Sequence, residues 1–75
     1  MPRSMLPITG SPNTSQVERD AKHVVIRRRF YGGDGKAIKN IDYDHDHGAG
    51  VPHAHDWDWT KDLPRQPGRT VRSGE

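Results

Sequence analysis

Three features make this chain a small α+β or mainly β domain. The run from His23 to Tyr31 is dense in β-branched and aromatic residues: Val24, Val25, Ile26, Phe30 and Tyr31. Gly32-Gly33-Asp34-Gly35 follows, supplying the positive-φ residues that a tight reversal requires. Lys36 to Tyr43 then resumes extended character, with Ile38 and Ile41 as apolar anchors. Together they define a β-hairpin over about residues 23–43.

Within the first strand, Val24, Ile26, Arg28 and Phe30 share one face, and Val25, Arg27, Arg29 and Tyr31 the other. Ile38 and Ile41 differ in parity, so one of them faces away from the core or a bulge intervenes. Before the hairpin, residues 1–20 carry Pro2, Pro7, Pro12 and Gly10 without helical or strand period, and read as a flexible lead-in. Val17 to Ala21 has the makings of one helical turn, with Ser15 as its cap and Glu18 at the capping-box spacing. After the hairpin, Gly48-Ala49-Gly50-Val51-Pro52 bends the chain, and a third strand is expected over about 51–59. That strand would place Trp57 and Trp59 on one face and Asp56 and Asp58 on the other. From Pro64 the chain is rich in Pro, Gly and Arg, so the organisation expected is lead-in (1–20), one small domain (21–63) and an irregular basic tail (64–75).

A 75-residue chain with 29% hydrophobic residues and a mean hydropathy of −1.06 has little with which to build a core. One core in a chain this small seldom supplies more than about 3–5 kcal/mol, and with no cysteine there is no disulfide or thiolate zinc site. Stability therefore has to come from a small core, a metal or a partner. No apolar run is long enough for a signal peptide or a membrane span, so the expected address is the cytoplasm, or delivery by a larger carrier. The net charge of +2 hides a segregation. Residues 21–39 sum to +5 (six Lys/Arg less Asp34), and residues 40–63 to −5 (six Asp less Lys61). A basic segment suits a polyanion; the acidic, histidine-bearing one suits a cation or proton transfer.

The stretch from Asp42 to Trp59 concentrates the chemistry, holding four of the five histidines. His-x-His occurs twice, as His45/His47 and His53/His55, and in extended backbone each pair projects two imidazoles from one face. Folding one pair over the other would gather His45, His47, His53 and His55 as ligands for a divalent metal, zinc or a similar ion, with Asp44, Asp46 and Asp56 orienting the rings or replacing one of them. The same imidazoles serve a metal-free reaction equally well. His47, His53 and His55 can act as general base and acid beside a phosphate, so that the 2′-hydroxyl of RNA becomes the internal nucleophile. Asp42 would fix a histidine tautomer, and Arg27, Arg28, Arg29 or Arg65 would hold the phosphate. A solvated polar loop explains the histidines without any site, and a charged edge strand explains Arg27-Arg28-Arg29. Trp57, Trp59, Tyr31 and Tyr43 are expected in the core rather than as base-stacking platforms, because the chain has few other large residues. His23 stands apart and receives no role.

Arg29-Phe-Tyr-Gly-Gly-Asp-Gly-Lys-Ala-Ile-Lys-Asn-Ile-Asp-Tyr, then Asp46-His-Gly, then Pro52-His-Ala-His-Asp-Trp resembles a pattern in small C-terminal domains of bacterial polymorphic toxins. Those domains stand behind Rhs-type (YD-repeat) carriers, and related short proteins occur in mobile elements. The resemblance spans roughly residues 28–68 and rests on the combination of a Tyr-x-x-Asp-Gly turn, an Ile-Asp-aromatic strand, an Asp-His-Gly step and Pro-His-x-His. It implies a toxin cargo domain acting as a ribonuclease, neutralised by an immunity protein, with Asp42, His47, His53 and His55 at the matching positions. His45 departs from the pattern, and the initial methionine without a carrier suggests a detached cassette or a domesticated relative.

The expected function is thus a toxin-like ribonuclease that requires no cofactor. The alternative is a non-catalytic metal-binding or protein-interaction module using the same histidines, and a structural role in a phage or mobile element is a third option. Clustered imidazoles should also repel one another when protonated, loosening the loop below about pH 6.

Overall fold

The computed structural model describes residues 6–43 and 52–75. Five strands, β1 (Ser15–Arg19), β2 (Val25–Tyr31), β3 (Ala37–Asp42), β4 (His53–Asp56) and β5 (Arg69–Thr70), form one antiparallel sheet in chain order. No helix occurs among the described residues. This is the mainly β form of the expected fold, with the hairpin realised as β2–β3 and the third strand as β4.

The hairpin turn depends on glycine at one position. Gly35 has φ of 80°, and a Cβ there would stand 2.6 Å from the Gly10 carbonyl oxygen. The close approach is the packing of the leading segment itself: Gly10 N–H donates to Gly35 O at 2.8 Å, and Ala37 N–H to Ile8 O at 2.9 Å. Beyond the turn, Phe30 pairs with Lys39 but Tyr31 with Ala37, so a bulge leaves Ile38 as the extra residue on β3. The parity conflict between the two isoleucines is resolved both ways at once, with Ile41 buried and Ile38 exposed.

The sheet reaches outside residues 21–63 on both sides. The helical turn expected from Val17 is instead part of β1, because Val17 lies opposite Arg28 and the Glu18 carboxylate meets Arg27 at 3.0 Å. Pairing with β2 gives these residues partners that a single isolated turn could not supply. Arg27-Arg28-Arg29 is consequently not an edge: β2 lies between β1 and β3. At the other end, Arg69 crosses to Asp56 with contacts of 2.6 and 2.9 Å and also holds Glu75. These bonds tie down a tail that composition alone describes as irregular.

Period two along β2, β3 and β4 sorts side chains onto two faces. Arg27, Arg29, Tyr31, Asn40, Asp42, His53 and His55 share one, and all are buried. Ile41 and Ala54 pair on the other and are also buried. The apolar core is small (Leu6, Tyr31, Ala37, Ile41 and Ala54), so a layer of polar side chains does much of the filling. Tyr43 and Trp59, expected inside, are 38% and 37% exposed.

Candidate functional site

One carboxylate oxygen is the centre of the buried polar face. β3 delivers Asp42 directly opposite His53 on β4, and His55 opposite Asn40. Adjacent strands and alternate positions therefore bring a carboxylate and two imidazoles to one place. Nε2 of His53 lies 3.3 Å from Asp42 Oδ2, and Nε2 of His55 lies 3.6 Å from it. The two rings meet edge to face with centroids 5.0 Å apart.

The other oxygen of Asp42 is fully engaged. Arg27 Nε donates to Oδ1 at 2.6 Å, and Asn40 Nδ2 approaches the same atom at 3.5 Å. Burial would raise the Asp42 carboxyl above its ordinary value, but the Arg27 guanidinium outweighs burial and holds it below the usual carboxylate range. Asp42 is therefore ionised at neutral pH, with Oδ2 left to face the imidazoles.

His55 has its own fixed orientation. Its Nδ1 lies 2.8 Å from the backbone carbonyl of Gln66, an acceptor only, so Nδ1 carries the proton and Nε2 of the neutral ring presents a lone pair. Burial pushes this imidazole below its ordinary value, against the Gln66 bond, which raises it. A neutral His55 thus turns one acceptor, Nε2, toward another, Asp42 Oδ2, and neither has a hydrogen bond within the chain. Two buried acceptors at 3.6 Å call for a positive species between them or beside them: a proton, a metal ion or a guanidinium.

The guanidinium is at hand. Arg65 Nη2 stands 3.7 Å from Asp42 Oδ2, and its side chain is 48% exposed. A cleft lined by His55, Leu63, Arg65, Gln66 and Pro67 opens at this point, so Arg65 forms the boundary between the buried cluster and solvent. Gly68 completes the cover. A Cβ on it would lie 3.2 Å from His53 Cδ2 and 3.3 Å from His55 Cε1, so only glycine lets the backbone rest on the rings unforced.

The residues expected from sequence divide clearly. Asp42, His53, His55, Arg27 and Arg65 converge. Arg29 shares their face but sits farther along, its Nη1 donating to Leu6 O at 2.8 Å and its guanidinium 5.0 Å from the Trp57 ring. Arg28 is on the opposite face, donating to Ser15 Oγ, and is separated from the cluster by the sheet. His45, His47, Asp44 and Asp46 lie outside the described residues. His23 sits in the β1–β2 turn, where its backbone N–H donates to Asp20 O at 2.9 Å.

Two contributors were not foreseen. Asn40 joins the ends of the face, accepting from Trp57 Nε1 at 2.6 Å while its amide nitrogen faces Asp42. Its position two residues before Asp42 was a usable signal. Gln66 acts through its backbone carbonyl, which no residue pattern encodes. No family model matches the chain, and no curated protein or solved structure was found to be similar to it. No described helix is long and apolar enough to cross a membrane.

Proposed function

We propose that this chain is a toxin-like ribonuclease whose proton-transfer centre is Asp42, His53 and His55, with Arg65 as the phosphate contact. The observation that carries the proposal is the meeting of two imidazoles and a half-exposed guanidinium on the single oxygen Asp42 Oδ2. The charge balance of this face favours an anionic ligand over a dication. Arg27, Arg29 and Arg65 bring three positive charges against the two negative ones of Asp42 and Glu18. The resemblance to polymorphic-toxin domains adds the substrate class and an immunity protein as partner.

In this mechanism Arg65 swings from Asp42 onto a phosphate, uncovering His55 Nε2. That nitrogen accepts the proton of the RNA 2′-hydroxyl as the 2′-oxygen attacks phosphorus and the bond to the 5′-oxygen breaks. Asp42 stabilises the imidazolium so formed, and Gln66 O keeps the ring oriented. The His55 imidazolium then returns that proton to the departing 5′-oxygen, while the fully enclosed His53 packs edge-on against its ring. The products are a 2′,3′-cyclic phosphate and a free 5′-hydroxyl.

A second reading is supported by a separate observation. Asp42, His53 and His55 offer ligand atoms all within 4.8 Å of one another. Adjacent ligands of a tetrahedral zinc-like ion stand about 3.3 Å apart for bond lengths of roughly 2.0–2.1 Å. The 3.3 and 3.6 Å separations to Asp42 Oδ2 fit that spacing, and a proton on His55 Nδ1 is the arrangement that frees Nε2 as a ligand. Such a centre would be a His/His/Asp metal-binding module.

Incubating the purified chain with RNA, with and without EDTA, separates the two. The ribonuclease reading expects cyclic-phosphate ends, no effect of EDTA, and loss of cleavage in His55→Ala and Arg65→Ala. Full activity in His55→Ala, or no cleavage of any RNA, overturns it. Absence of cleavage together with stoichiometric zinc binding that His55→Ala removes supports the module instead.

A further inference from the structure

We propose that Trp59, with Lys36, forms a base-stacking subsite for single-stranded RNA at the far end of the same sheet face. The proposal takes its ligand class from the ribonuclease reading but rests on different residues.

Trp57 and Trp59 are stacked, with ring centroids 5.7 Å apart and planes inclined by 26°. The column ends in a cation on each side: the Arg29 guanidinium lies 5.0 Å from the Trp57 ring, and Lys36 Nζ lies 5.5 Å from the Trp59 ring. Both indoles are anchored. Trp57 Nε1 donates to Asn40 Oδ1 at 2.6 Å and Trp59 Nε1 to Ala37 O at 2.7 Å. The rings are therefore held in place before any ligand arrives, and little side-chain freedom remains to be lost on binding.

The two ends of the column differ in a way that points to a ligand. Arg29 is buried and bonded to the Leu6 carbonyl, so it is a fixed part of the fold. Trp59 is 37% exposed, and Lys36 beside it is exposed too. A lysine on a flexible stem can leave the ring and follow a phosphate while a nucleobase takes its place on the indole. An aromatic platform with a mobile cation at its rim is the combination that binds single strands with little sequence preference.

Position supports the same occupant. Trp57 connects through Asn40 to Asp42, so platform and proton-transfer centre lie on one face. Ala37, which anchors Trp59, is five residues along β3 from Asp42, or roughly 16 Å at the usual strand rise. A strand several nucleotides long can reach both places; a dinucleotide cannot.

The test uses a probe that the proposed chemistry cannot cleave. Tryptophan fluorescence is titrated with a short 2′-O-methyl oligoadenylate and with an abasic oligomer of equal length. Quenching by the oligoadenylate and about tenfold weaker binding of the abasic strand are expected. Trp59→Ala should erase the difference between the two, and Trp59→Phe should preserve most of it. Lys36→Gln, which leaves the indole packing intact, should reduce the slope of log affinity against log salt by about 0.7. Equal affinity for the two oligomers, or no binding by the folded parent, overturns the proposal. Binding of this kind without cleavage of natural RNA would retain it and discard the catalytic reading.

Discussion

The two ends of the polar sheet face bury their hydrogen-bonding groups in opposite ways. At the tryptophan end each indole N–H has one acceptor, Asn40 Oδ1 or the Ala37 carbonyl, and the rings lock into a stack. At the Asp42 end the acceptors outnumber the donors placed on them: Oδ2 and His55 Nε2 face each other with no hydrogen bond from the chain. Satisfied groups fix a shape. Groups left facing one another hold chemical potential for a proton, a phosphate-seeking guanidinium or an ion. The contrast separates a preformed platform from a reactive centre more sharply than burial does, since Asn40, Asp42 and His53 are all fully enclosed.

Breaking the Asp42 end should cost most. Asp42→Asn leaves the Arg27 guanidinium, whose side chain is only 10% exposed, with Glu18 as its remaining carboxylate. Stability measured by urea denaturation should fall by about 3–5 kcal/mol, the range for removing one partner of a buried ion pair. A loss under about 1 kcal/mol would mean that Arg27 reaches water and that the pair is not truly buried.

Asn40→Leu tests the link between the ends. It strips the acceptor from Trp57 Nε1 and the neighbouring amide from Asp42, for an expected loss of about 1–3 kcal/mol. Trp57 emission should change at the same time. Unchanged emission would show that the indole does not depend on Asn40 for its position.

The mildest effect is one of pH. His55 titrates below its ordinary value of 6.5 in the folded chain, so the unfolded chain takes up its proton first. The contribution of His55 is complete above 6.5 and declines as pH falls from there to its folded value. Asp42, held below 3.8, contributes above that value and loses its contribution only in stronger acid. Thermal melts should show two stages of acid destabilisation, with His55→Gln removing the upper one. A parent whose stability is flat between pH 7 and pH 5 would contradict the burial of this ring.

How much of this could be read beforehand depended on how local each cause was. The hairpin was legible because β-branched residues and a glycine-rich turn act over a few neighbours. His53 and His55 were legible as a pair because alternate residues of a strand share a face. Ser15 and Glu18 have the spacing of a helix start yet lie in β1, because pairing with β2 outweighs one marginal turn. β5 has only two residues and no pattern of its own. Arg27 was legible as a cation but not as the partner of Asp42, since that contact joins residues 15 apart.

By itself, then, the sequence determined the hairpin, its turn, and the supply of imidazoles and carboxylates near residues 42–59, because periodicity and residue chemistry are properties of short stretches. Only the tertiary structure decided that Arg27 would clamp Asp42, that Gln66 would set the His55 tautomer, and that Arg65 would stand at the mouth. Those relations depend on strand register and on the path of a tail far along the chain, and register is fixed when β2, β3 and β4 bury one face together.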